Sequence, residues 1–188
     1  MTTSPVTISE LAQQDLPFLL SLWHNPEVMR YADEFPGLRG WSKDDDANAV
    51  WGIYQDRRAR LGKAYTQLML RLQDGTLIGE SFFAPLGENT TFGKWVKPNG
   101  ITCLLGDIKL EPAYWGRGLG TAGMRQVVRF AFTKAACELF VVPPHRRNPA
   151  AFRVYEKVGF VLFKGMRSWR NHRVMEISKE RYRRVYEE

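Results

Sequence analysis

Residues 116–120 read Gly-Arg-Gly-Leu-Gly and join an apolar run to a helical one. Glycine lets the backbone bend sharply and come close to a ligand, because no Cβ stands in the way. From Thr121 onward Met124, Val127, Val128, Ala131 and Phe132 recur at spacings of three and four, so the turn opens a helix. Unpaired N–H groups and the helix dipole at such an end favour an anion, and phosphate suits it best. The competing reading is a glycine-rich connection that holds no ligand. Further along, Asn148 opens a helix that carries Tyr155 two turns in and ends at Gly159-Phe160.

Gly118-Leu-Gly120-Thr-Ala-Gly123 also matches the dinucleotide fingerprint G-x-G-x-x-G. Its context opposes that use. Pro112-Ala-Tyr-Trp115 separates the strand from the glycines, and the next strand, near Leu139 to Val142, ends in Pro143-Pro144. A ribose-binding acid belongs at that end, whereas Glu138 stands at the other. A Walker A loop is excluded too, since no Gly-Lys-Ser/Thr follows the glycines.

Trp115-Gly-Arg-Gly118-Leu-Gly120 resembles the R/Q-x-x-G-x-G/A motif of the GCN5-related N-acetyltransferase superfamily, with Trp115 in the usual Arg or Gln position. In that family the motif follows the fourth strand and wraps the pyrophosphate of acetyl-coenzyme A. Asn148, Ala151, Tyr155, Gly159 and Phe160 are similar to its second signature, in the same order. The opening, Leu16 to Tyr31, is similar to that of the ribosomal-protein N-terminal and aminoglycoside 6′-N-acetyltransferase branch. The resemblance implies acetyl-CoA as co-substrate, an amine acceptor and no metal. It implies cofactor contacts at Ile108, Lys109, Leu110, Trp115, Gly116, Arg117, Gly118, Leu119, Gly120, Thr121, Asn148, Phe152, Arg153 and Tyr155. It also implies that Tyr155 protonates the leaving thiolate.

Acetyl transfer needs a neutral amine, and an alkylammonium of pKa ~10.4 must first lose a proton. A carboxylate or a water chain can take it. Asp107, on the strand leading into the glycine turn, is the expected base, with Glu80 and Glu111 as alternates. Some family members place a glutamate earlier on this strand, where this chain has Leu104. Asn148 is expected to hold the pantetheine arm or simply to cap its helix. Arg117, Arg146, Arg147 and Arg153 are candidates for the phosphates.

The 188 residues imply one domain, 1–188, with room for a core. No run approaches the roughly 20 apolar residues of a membrane span, and Met1-Thr-Thr-Ser-Pro does not read as a signal peptide. The expectation is a cytoplasmic enzyme with Cys103 and Cys137 as buried free thiols, both in strands. His24, His145 and His172 show no metal-ligand spacing. Residues 1–112 carry 11 Lys and Arg against 14 Asp and Glu, whereas 113–188 carry 16 against 6. A positive field over the glycine turn would attract a triply phosphorylated cofactor, and the acidic half suits a cationic amine.

The acceptor reading stays open between a small cation, such as an aminoglycoside or polyamine, and a protein N-terminus. Two other classes compete. One is a nucleic-acid module using Tyr182-Arg-Arg184 and Arg167-Ser-Trp-Arg170, where aromatics interleave with cations. The other is a family member that binds acyl-CoA without catalysis. Trp41, Trp51 and Trp95 are candidates for a homodimer face.

These residues need a frame to hold them. Val6 to Glu10 reads as a first strand, and Asp15 as the cap of a helix through about Arg30 with Pro17 in its first turn. Ser42 or Asp44 is expected to start a second helix with Ala49, Val50, Ile53 and Tyr54 on one face. Residues 64–72 and 76–84 alternate around Gln73-Asp-Gly75, a hairpin. Residues 87–100 read as a loop and Ile101 to Leu110 as the next strand. Helix 118–134, strand 138–142, helix 148–158, a strand pair at 160–166 and 174–177, and helix 179–186 complete the chain. Hairpins mixed with crossover helices predict an α/β (α+β) fold: a mixed, mostly antiparallel sheet of about seven strands flanked by helices. The family resemblance implies the same fold, with the fourth and fifth sheet strands splayed to admit the cofactor.

Overall fold

A computed structural model describes residues 4–32 and 46–187. In chain order its elements are β1 (Val6–Glu10), α1 (Leu16–Trp23), α2 (Pro26–Met29), α3 (Ala47–Leu61), β2 (Thr66–Leu72), β3 (Leu77–Pro85), β4 (Thr91–Phe92) and β5 (Trp95–Val96). There follow β6 (Thr102–Leu110), α4 (Leu119–Thr133), β7 (Leu139–Val142), α5 (Pro149–Lys157), β8 (Val161–Leu162), β9 (Met175–Ser178) and α6 (Lys179–Tyr186). Seven strands form one sheet in the order β1-β2-β3-β6-β7-β9-β8, and β4 and β5 pair as a separate ribbon. Within the large sheet only β6 and β7 run parallel.

Helices cover both faces. On one, Leu68, Phe83 and Leu105 of the sheet meet Met124, Val127, Val128 and Ala131, the α4 stripe legible in the sequence. On the other, Leu19 of α1 and Val50 and Tyr54 of α3 pack against Tyr65 and Met69. The Ser42 and Asp44 start expected for α3 lies outside the described residues; Asp46 caps Ala47 by accepting from the Ala49 N–H at 3.3 Å. Its buried face pairs Val50 and Tyr54 with half-buried Ala47 and Trp51, while Ala49 and Ile53 face solvent. The predicted stripe is rotated by one position on its outer edge.

The first predicted helix is two helices. Asn25-Pro26 breaks it, because Pro26 carries no N–H and the Asn25 side chain instead accepts from the N–H groups of Glu27 and Val28. Asp15 stands at the N-cap of α1 as expected, but its side chain makes no capping bond there; its carboxylate pairs with Arg71 at 2.6 Å. The 87–100 loop folds into the β4–β5 ribbon, with Trp95 buried and its Nε1 donating to Glu176 at 2.8 Å. Trp95 therefore contributes no surface to a dimer, Trp51 is half-buried, and Trp41 lies outside the described residues. Tyr182 and Trp169 are likewise spoken for. Tyr182 is buried and stacks on Phe132 and Tyr186, which takes its ring out of reach of a base, and half-buried Trp169 packs on Phe92. Both cysteines are buried and free, with Cys137 in the loop before β7 rather than in a strand.

Two irregularities interrupt the pairing of β6. Its ladder with β7 holds only from Thr102–Leu104 to Leu139–Val141, although β6 runs on to Leu110. Beyond Val142 come Pro143 and Pro144, which have no N–H with which to continue pairing. On its other edge β6 pairs Phe82 with Asp107 and Phe83 with Leu105, leaving Gly106 as the extra residue of a bulge.

Where β3 meets the end of β6, a Cβ on Gly79 would strike the Lys109 carbonyl oxygen and the Leu110 side chain. Gly79→Ala must push β3 and β6 apart, and we expect it to cost about 1–3 kcal/mol, read as a lower urea midpoint. An unchanged midpoint would show that this contact does not hold β6 in place.

Candidate active site

Where the β6–β7 ladder stops, a cleft of about 810 Å³ opens between the two strands. The end of β6, the glycine turn, α4, α5 and the α1–α2 segment wall it. Gly116 and Gly118 have φ of 72° and 78°, left-handed values that an L side chain resists. Among the described residues, no atom beyond the adjoining ones in the chain lies within 4 Å of where a Cβ would stand on either, so space remains beside this stretch of backbone. Gly118 is the N-cap of α4, and no side chain caps that end. The first-turn N–H groups are thus a place for an anion. Trp115 ties the turn down, its Nε1 donating to the Leu110 carbonyl at 2.8 Å.

Twelve of the expected site residues line this one cleft: Asp107, Ile108, Lys109, Leu110, Trp115, Gly116, Gly118, Gly120, Thr121, Asn148, Arg153 and Tyr155. Arg117, Leu119 and Phe152 stand apart from it. The Arg117 guanidinium lies over Tyr114 at 5.6 Å, Leu119 is buried among Val6, Leu70 and Ile78, and Phe152 packs on the main core. Asn148 caps α5, its Oδ1 accepting from the Ala151 N–H at 3.1 Å, and it also lines the cleft. Arg146 and Arg147 do not line the cleft, while Lys157 joins Arg153 there.

Tyr155 is 2% exposed. Burial pushes its phenol well above the ordinary range, the negative charge of Asp107 adds to that, and the Ile108 main chain opposes it in part. The ring is therefore a neutral O–H at any ordinary pH. Beside it Asp107 is bound by the Lys109 ammonium. Lys109 Nζ also lies 3.1 Å from Glu80 Oε1 and 3.9 Å from the Trp23 ring centroid. Burial alone would pull Lys109 down, but Asp107 and Glu80 outweigh it and hold the ammonium above its usual range. Glu80 is wholly buried beneath the cleft floor, where burial raises its carboxyl against the pull of Lys109. Exposed Glu111 lies outside the lining. Of the three carboxylates weighed as base, only Asp107 reaches the open space.

Trp23, Glu27, Tyr31, Phe82, His145 and His172 also line the cleft and were not foreseen. Tyr31 stacks on His145 with centroids 5.2 Å apart, and His172 meets His145 edge-on at 5.2 Å. The Asn25-Pro26 break carries the one sequence signal that points to part of this set, since a second helix start there turns Glu27 to Tyr31 toward the cleft. Nothing in the spacing of His145 and His172 announces their pairing. Among the described residues no group of three or more His, Cys, Asp or Glu is arranged to hold a metal, and no helix is long and apolar enough to cross a membrane.

Residues 6–161 match the family model of the acetyltransferase (GNAT) domain. Among solved structures, the chain is similar to a spermidine N-acetyltransferase from Vibrio cholerae in complex with CoA and spermine. The TM-score is 0.69 at 19% identity, over 96% of this chain and 99% of that one. It is similar to the same degree, TM-score 0.69 and 19% identity, to the aminoglycoside acetyltransferase AAC(6')-Ib in complex with coenzyme A and kanamycin, over 96% of this chain and 98% of that one. At such identity these likenesses establish the fold.

The raised phenol of Tyr155 has a consequence for stability. Its folded pKa lies above the unfolded value of about 10, so the stability it lends is whole below pH 10 and falls as pH rises beyond that. Urea midpoints measured from pH 9 to 11 should fall in the wild type and fall less steeply in Tyr155→Phe. Parallel slopes would place the phenol in water.

Proposed function

Because this chain belongs to the acetyltransferase (GNAT) family, an acetyl-CoA-dependent N-acetyltransferase by that membership, we propose that it acetylates a primary amine on a small cationic body, of the aminoglycoside or polyamine kind. The observation that carries this reading is the meeting of three features in one cleft: the uncapped N-terminus of α4, the buried Tyr155 phenol, and the Asp107 carboxylate. Coenzyme A suits the basic end, where Arg153 and Lys157 join the glycine turn. At the other end the carboxylates of Glu27 and Asp107 stand among the rings of Trp23, Tyr31 and Phe82. Carboxylates and aromatic faces both attract an ammonium.

In this reading Asp107 receives the acceptor's ammonium and carries off its proton, directly or through water. The neutral nitrogen then forms the C–N bond as the thioester C–S bond breaks. Tyr155 gives a proton to the departing sulfur and is restored by the proton that the acylated nitrogen sheds, so amide and thiol are the products. A thiolate in water has a pKa of about 8.5 and is a poor match for so reluctant a phenol. Held beside Tyr155 it loses the same hydration, and its affinity for a proton rises with that of the phenol. The match is made by shared burial.

The test is a thiol-release assay with acetyl-CoA against aminoglycosides, polyamines and N-terminal peptides. We expect turnover with one of the first two classes and little with the peptides. Tyr155→Phe should lower kcat by about 10- to 1,000-fold with the KM for acetyl-CoA nearly unchanged. Wild-type turnover in that variant would leave the ring a packing role only, and failure of acetyl-CoA to bind would end the reading as a whole.

A further inference from the structure

Among the described residues, Lys109 is the one ammonium in the cleft wall that is itself buried, its side chain 3% exposed. Its paired residue across the β3–β6 ladder is Glu80, whose side chain is 0% exposed. Gln67 Nε2 donates to the other Glu80 oxygen. Contacts therefore run without a break from Gln67 through Glu80 and Lys109 to Asp107, from the interior of the sheet to the open cleft. The Trp23 face closes the remaining side of the ammonium at 3.9 Å. Two residues apart on one strand, Asp107 and Lys109 point to the same face.

A buried ion pair is a poor way to stabilise a fold, since apolar side chains of similar volume do as well or better. An ammonium locked against a carboxylate that faces the cleft calls for a different account. The contacts of Asp107 with Lys109 use Oδ1, which leaves Oδ2 outside that contact on a residue that lines the cleft.

We propose that Lys109 is a positioning residue for the reaction, clamping Asp107 through Oδ1 so that its carboxylate is held in one orientation where the acceptor amine arrives. The inference rests on the acetyl-transfer reading. The charged and titratable groups facing Asp107 are Lys109 on its own strand, Glu80 on β3 and Tyr155 on α5. Glu27, Arg30, Tyr31, His145 and His172 line the same cleft.

The experiment compares wild type, Lys109→Met, and the double variant Glu80→Gln/Lys109→Met, which removes both buried charges together and keeps the volume. Each is assayed for kcat and for the KM of acetyl-CoA at pH 7 with the best acceptor from the screen, and for Tm. In Lys109→Met we expect kcat to fall about 10- to 100-fold with the KM for acetyl-CoA nearly unchanged, as when a proton acceptor is left mispositioned. If Lys109→Met does not fold, the double variant decides. We expect it to regain a Tm near wild type while kcat stays low at an unchanged KM for acetyl-CoA, because Asp107 has still lost its clamp. A folded double variant with wild-type kcat would overturn the inference and leave Lys109 as a mere counter-ion to Glu80. Wild-type enzyme that releases no thiol with any amine would instead sink the parent reading.

Discussion

Three residues of parallel pairing, Thr102–Leu104 against Leu139–Val141, are all that join β6 to β7, and the functional half of the molecule is organised by where that ladder ends. A sheet strand that loses its neighbour leaves main-chain groups without partners, and these must find water, a side chain or a ligand. Here the loss is enforced by Pro143-Pro144, so it is a property of the covalent chain and needs no bound molecule to hold it open. The strand that keeps going, β6, is also the one whose tip passes into the glycine turn and α4. One interruption thus places an unpaired strand edge, an uncapped helix end and the flank of α5 around the same space.

The other edge of β6 answers to the same need. A strand unpaired on one side is secured on the other by β3, with Gly79 admitting the close approach of Lys109 and Leu110. The bulge at Gly106 then shifts the alternation of side chains just before Asp107, and Ser81 Oγ donates to the Asp107 carbonyl at 2.8 Å. Without the extra residue, Asp107 and Lys109 would sit on the opposite face from the one they occupy, since a one-residue slip exchanges the two faces of a strand.

Features that are local in the chain were legible in the sequence. The glycine turn with the 3.6-residue stripe of α4, the Asn148 cap with Tyr155 two turns on, and the Gln73-Asp-Gly75 hairpin each declare themselves within a few neighbouring residues, and each stands in the structure within a residue or two of its expected bounds. The mixed sheet followed from the order of those elements. What escaped depends on residues distant in sequence. Glu80 looked like an alternate base because nothing in its neighbours shows that it is sealed under Gln67 and Lys109. Trp95 looked exposed because the ribbon that folds it onto Glu176 is held by tertiary contacts. The split of the first helix was the exception: Asn25-Pro26 is a legible cap, and reading through it hid Glu27 and Tyr31 as lining of the cleft.

Burial is the common cause behind the chemistry at the centre of this cleft, and it acts with opposite effect on its two kinds of group. Tyr155 is neutral when protonated, so removing water secures its proton. Lys109 is charged when protonated, so removing water works against it, and only the approach of Asp107, Glu80 and the Trp23 face reverses the outcome. One dry site therefore keeps a phenol neutral and an ammonium charged side by side, with the carboxylate of Asp107 between them in influence. That carboxylate raises both groups at once, the phenol by repulsion of its anion and the ammonium by attraction. The proton held by each of the two is therefore linked to the charge on Asp107, which adds to burial at Tyr155 and, together with Glu80, outweighs it at Lys109.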